Sequence, residues 1–186
     1  MKTAKQLFFY AFIFTAILAS FNFSCNKVKD AIKVNIPFQT AEIEVDIPVI
    51  PAADLAVSTG NIDYEVNLDE LIQDVNSSLS SENIRSIVAK SCRVTLKNAT
   101  QENNFSALKS ASVEIQSGGN WITLAEINNI EDKYQDMLEF PIKDIDLKNY
   151  FGNNSIIYRI SGESRKPTTA ELKAGVLVKF EIAMTP

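Results

Sequence analysis

The chain has 186 residues, 46% of them apolar, with 23 acidic against 18 basic side chains and a net charge of −5. That balance speaks against nucleic acid as a partner and against adsorption onto anionic headgroups, both of which need an excess of Lys and Arg. The absence of histidine removes Ser-His-Asp and Cys-His nucleophilic sites, His-ligated zinc and copper, and the commonest general base at neutral pH.

The first residues read as a targeting segment. Lys2 and Lys5 precede the apolar run Leu7 to Ala19, and no acid occurs before Asp30. Thirteen residues suit the hydrophobic region of a secretion signal and fall short of the ~20 that span a bilayer as a helix. Ser24-Cys25-Asn26 follows directly. This junction resembles the lipobox of bacterial lipoprotein precursors, in which a small residue precedes a cysteine; Asn22 and Phe23 depart from the usual aliphatic and small residues there. The resemblance implies a diacylglyceryl thioether on Cys25, cleavage just before it, and a membrane partner held through that lipid. On this reading residues 1–24 are signal peptide, 25–31 a lipidated cysteine with a short tether, and 32–186 one domain. Two other readings stay open: an uncleaved signal anchor, with the apolar stretch extended to Phe23 across two polar interruptions, and an ordinary secreted chain with a Cys25–Cys92 disulfide. The portion from Cys25 onward is 162 residues with a net charge of −7, enough for one core and too little for two. Asn26 is not the aspartate that marks inner-membrane retention in enteric lipoproteins, and no acidic run follows it. The resemblance therefore favours, in a Gram-negative cell, the outer membrane and its periplasmic face.

Beyond the tether, period-two alternation dominates. Val34, Ile36 and Phe38 alternate, as do Ile43, Val45, Ile47 and Val49, with Glu42, Glu44 and Asp46 on the opposite face. Pro37, Pro48 and Pro51 place these strands at an edge or at their ends. Ile62, Tyr64 and Val66 predict a short strand. Asn67, with Glu70 three residues on, caps a helix carrying Leu71, Ile72, Val75 and Leu79 at helical spacing. Val88, Cys92, Val94 and Leu96 share a face that Lys90 interrupts. Ala111, Val113 and Ile115 lead through Gly118-Gly119 into Trp121–Ile127, a hairpin signal because primed turns need φ > 0. Leu138, Phe140 and Ile142 predict another strand. Asp144 or Asp146 caps a second short helix ending near Gly152. Ile156, Tyr158 and Ile160 follow. From Leu172 to Met184 the alternation is unbroken, with Leu177 a large apolar residue on the wet face.

Eight or nine strands at about ten-residue spacing predict an all-β fold, an antiparallel two-sheet β-sandwich with one or two short helices. Cys92 sits on an apolar strand face and reads as a buried thiol. The paired acids Asp144 and Asp146, and Glu42, Glu44 and Asp46, read as caps and solvated faces; catalysis by two carboxylates would need a cleft between them. No cofactor or metal motif is present. Trp121, beside the hairpin turn, reads either as a ring shared between core and sheet edge or, if exposed, as the candidate contact for a glycan or another envelope protein. The expected function is non-catalytic binding or scaffolding at the cell envelope. The alternatives are a carrier holding an apolar ligand between the sheets and, behind it, a carboxylate-dependent hydrolase.

Overall fold

The computed structural model describes residues 33–117, 119–151 and 155–185. Cys25, the signal peptide and the tether lie outside these residues. Ten strand segments are present: β1 (Val34–Gln39), β2 (Ile43–Ile47), β3 (Ala56–Ser58), β4 (Ile62–Glu65), β5 (Ile84–Leu96), β6 (Leu108–Ser117), β7 (Asn120–Ile127), β8 (Met137–Phe140), β9 (Ser155–Ser164) and β10 (Leu172–Met184). Among the described residues one α-helix, α1 (Leu68–Val75), precedes β5, and its cap is the expected one: Asn67 Oδ1 accepts from Glu70 N at 3.2 Å.

All pairings among the named strands are antiparallel. In one sheet the order is β1-β10-β5-β8, with β2 also on β10; in the other it is β3-β9-β6-β7, with β4 also on β9. Register shows why two segments share each edge. Val34–Gln39 lie opposite Met184–Lys179, and Ile43–Ile47 opposite Val176–Leu172. β1 and β2 are therefore one edge track with a single extra residue between them. β3 and β4 form a matching track along β9. Counted as tracks, each sheet has four, and the chain passes between the sheets in the order of a jelly roll, a sandwich of two Greek keys. One lateral edge is stitched: Ala125 bridges Ile142, and Lys143 N donates to Leu124 O at 2.9 Å, joining β7 to the stretch after β8.

Both edge tracks are broken by the same device. Thr40 N donates to Val178 O at 3.0 Å while Thr40 Oγ1 accepts from Val178 N at 3.1 Å. Thr59 does the same with Ile160, at 3.0 and 3.1 Å. A threonine hydroxyl thus replaces the carbonyl that the bulge takes out of the ladder. The prolines fall where the sequence placed them, Pro37 on the edge strand and Pro48 just past the end of β2. These bulges and the proline also blunt the edge against pairing with another chain.

Alternation predicted the inner faces well. Leu172, Ala174, Val176, Val178, Phe180, Ile182 and Met184 of β10 are all buried. Phe38 stacks on Phe180 with centroids 4.9 Å apart, and Phe151 meets Phe180 edge-on at 5.4 Å. Two expectations need correction. Val88 does not share the face of Cys92, because the register shifts between Lys179 and Phe180 and makes Lys90 a bulge residue. Ile87 and Ala89 are buried instead, and the charge that interrupted the pattern marks the parity switch. The second predicted helix is only a 3-10 turn, Lys148–Tyr150; Asp146 Oδ1 accepts from Lys148 N there, but also from Ile87 N, both at 3.0 Å. That acid ties the turn to β5.

At one end of the sandwich the four inter-sheet loops interlock. Thr168 N donates to Ile50 O, Asn103 Nδ2 to Thr169 Oγ1, and Gln135 N to Asn104 Oδ1. Asn103 and Asn104 are buried, because their amides replace water for backbone groups that the loops enclose.

Candidate functional site

The outer face of the first sheet carries an open groove of about 570 Å³. Its floor is made by the middle strands. Leu177 lies opposite Arg93, and Lys179 opposite Ser91, with Gln39 to one side and Glu139, Pro141 and Ile142 to the other. The hollow has a local cause. Thr40 interrupts the ladder on one side of Val178, and Lys90 is the extra residue on the other side, next to Phe180. Bulges strengthen twist and re-aim side chains, and two of them flanking the same stretch of β10 bend the sheet there.

Three cations line the groove: Lys90, Arg93 and Lys179. Arg93 pairs with Glu139 at 2.6 Å and Lys90 with Glu181 at 2.9 Å, all of them substantially exposed. Lys179 has no ion-pair partner among the described residues. Leu177, the apolar residue on the wet face of β10, is half-buried in the floor. Nothing in composition pointed to this site, since its cations are scattered in sequence and outnumbered by acids.

Trp121 is not an open platform. It lies on the outer face of the second sheet, opposite Gln116, with the Arg159 guanidinium carbon 4.1 Å from its ring centroid. Arg159 Nε in turn donates to Glu114 Oε2 at 2.7 Å, and Ser161 Oγ reaches the same oxygen at 3.0 Å. Arg159 and then Ser161 favour the Glu114 carboxylate and, against a desolvation cost, hold its pKa below the usual glutamate value. A depressed acid stabilises the fold above its unfolded pKa and loses that contribution as pH falls through the folded one. Trp121 is the only tryptophan, so its fluorescence reports this contact. Acid titration of the emission is expected to show a step below the ordinary glutamate range, absent in Glu114→Gln. A step unchanged in that variant would detach the ring from the Glu114–Arg159 pair.

The remaining candidates are not brought together. Cys92 is a free thiol, 1% exposed, and burial pushes its pKa up to about 12. Glu42 is bonded to Lys97 at 2.5 Å, while Glu44, Asp46 and Asp144 are exposed. Among the described residues no group of three or more Cys, Asp or Glu could hold a metal ion. Tyr158 Oη is buried without a hydrogen-bond partner among the described residues; nothing in the structure explains why a hydroxyl stands there. Between the sheets, a cleft at Ile47, Val57, Leu108 and Ile160 measures about 10 Å³, no more than one water requires.

No protein-family model matches the chain, and no curated protein matches it in sequence. Solved structures are similar only in outline. A capsid of Helicobacter pylori bacteriophage KHP30 is 7% identical with a TM-score of 0.39, covering 83% of this chain and 98% of that one. The VP2 subviral particle of infectious bursal disease virus is 6% identical with a TM-score of 0.35, covering 82% of this chain. This chain spans 33% of that VP2. A carbohydrate-binding module from Clostridium perfringens, solved with GalNAc-β-1,3-galactose, is 12% identical with a TM-score of 0.29, covering 68% of each chain. Likenesses this distant leave function to be argued from the site itself.

Proposed function

We propose that this chain is a lipid-anchored cell-envelope protein whose jelly-roll domain binds a partner non-catalytically. The observation that carries the binding half is the groove. Its lining offers two amines, a guanidinium, a carboxylate, an amide, a hydroxyl and aliphatic surface, a set suited to holding a ligand. The chain has no histidine, the base that most often activates a serine or cysteine nucleophile. The interior is packed with Ile, Leu, Val and Phe, which speaks for surface binding over carriage of an apolar ligand between the sheets.

The anchoring half rests on Ser24-Cys25 at the end of the apolar run. Each buried CH₂ is worth about 0.8 kcal/mol, so two or more long acyl chains hold essentially permanently.

The test is metabolic labelling of the expressing bacterium with a fatty-acid probe. The parent chain is expected to carry label, and Cys25→Ser to carry none and accumulate as unprocessed precursor. Equal label on both would overturn the anchor.

A further inference from the structure

We infer that the groove on the outer face of the first sheet takes an acidic polypeptide segment in extended conformation. Its carboxylates would sit on Lys90, Arg93 and Lys179, and an aliphatic side chain on Leu177, Pro141 and Ile142. This rests on the reading of the groove as the binding site and adds the chemistry of what fills it.

Charge is the first argument. In a chain of net charge −5, three cations converge on one hollow, faced by two acids, Glu139 in its wall and Glu181 beside it. Both acids are committed to exposed ion pairs. Such pairs are worth roughly 0–1 kcal/mol, so exchanging them for a ligand's carboxylates costs little. Lys179 needs no exchange at all.

Spacing is the second. Lys179 lies opposite Ser91 and Arg93 opposite Leu177, which makes Lys179 and Arg93 diagonal neighbours on one face, about 7–8 Å apart. In an extended peptide, side chains two residues apart share a face and stand about 7 Å apart. A Glu-x-Glu segment therefore matches the two cations in register.

The apolar surface decides the class. Leu177, Pro141 and Ile142 are aliphatic, no Trp or Tyr lines the groove, and its one aromatic residue, Phe140, is buried in the core and presents no open ring face. A saccharide would need a flat aromatic face to stack its ring on, whereas Leu or Val side chains of a peptide pack on aliphatic surface as they do in any interface core.

The experiment uses the full chain and fluorescence anisotropy at low salt. The probe is a labelled peptide repeating Glu-Ser-Glu-Ser-Leu-Ser, which in extended conformation presents its carboxylates and leucines on one face; its counterpart with Lys for Glu, and polygalacturonate as competitor, are the controls. The acidic peptide is expected to bind and the lysine peptide to fail. Affinity is expected to fall about tenfold or more in Arg93→Glu/Lys179→Glu, whose unchanged melting temperature shows that it folds. It is also expected to fall with added salt, as exposed charges are screened. Equal binding of the lysine peptide, or an unaffected double variant, would overturn the proposal. Polygalacturonate binding that the double variant loses, with no peptide binding, would overturn the polypeptide class and leave the groove as a binding site. Binding of neither probe would overturn both.

Discussion

Phe180→Ala is expected to destabilise the domain by about 3–5 kcal/mol, the loss typical of a large aromatic removed from a core. Phe180 is 1% exposed, stacked on Phe38 and met edge-on by Phe151. In the ladder it lies between Phe38 and Ala89, and the small alanine makes room for its ring. Truncation removes the centre of a three-ring cluster and leaves a cavity that its rigid neighbours cannot fill. The loss is a large share of the roughly 5–15 kcal/mol that holds a typical domain together. Lys179→Ala, one position away on the groove side, is expected to change stability by no more than about 0.5 kcal/mol. Denaturant unfolding of the two variants measures the contrast. Similar losses would mean that both faces of β10 are buried, and the exposed groove could not exist.

Gly162→Ala is the second large effect expected, a loss of about 3 kcal/mol. The backbone of Gly162 has an ordinary conformation; the constraint is contact. A Cβ there would lie 2.4 Å from the carbonyl oxygen of Ser110 and 3.4 Å from the Cα of Ala111. The register shift between Leu108 and Ser110 brings that carbonyl across β9, and backbone in a central ladder cannot step aside as a side chain does. The change either parts β6 from β9 or strains both, an overpacking cost of about 1–3 kcal/mol and here at the upper end. Gly175→Ala is the control. Its Cβ would meet Glu42 Oε1 at 2.2 Å, but Glu42 is a flexible side chain that can swing off Lys97, forfeiting an exposed ion pair worth at most ~1 kcal/mol. Melts that rank Gly175→Ala as the costlier change would show that the β6–β9 approach is not as tight as the geometry states.

The candidate site was scarcely legible in the sequence, and the reason is distance along the chain. Leu177 stood out as the apolar residue on a wet face, and it is the floor of the groove. Arg93 and Lys179 meet across strands more than eighty residues apart in sequence, and nothing within either strand singles its charge out. For Trp121, its place beside the turn left a sheet-edge ring and an exposed contact both open; in the structure it is partly buried, and Arg159, held by Glu114, lies over its ring.

Local chemistry alone was sufficient wherever it decides structure. Side-chain alternation marked which residues of each strand turn inward, because a pleated backbone sends neighbours to opposite faces whatever it pairs with. Leu172–Met184 emerged with its full extent for that reason. The cap at Asn67, the Gly118-Gly119 hairpin and the prolines on an edge follow from groups within a few residues of each other. What only the tertiary structure decided was pairing: which strands are neighbours, that two segments share each edge, and where a ladder slips by one residue. A bulge at Lys90 or Thr40 exists because β10 supplies the opposing N–H and C=O at that level. Both the parity of the core and the shape of the groove depend on it. The alternation of one strand can show that its pattern breaks, but the partner strand determines whether that break is an end, an edge or a bulge.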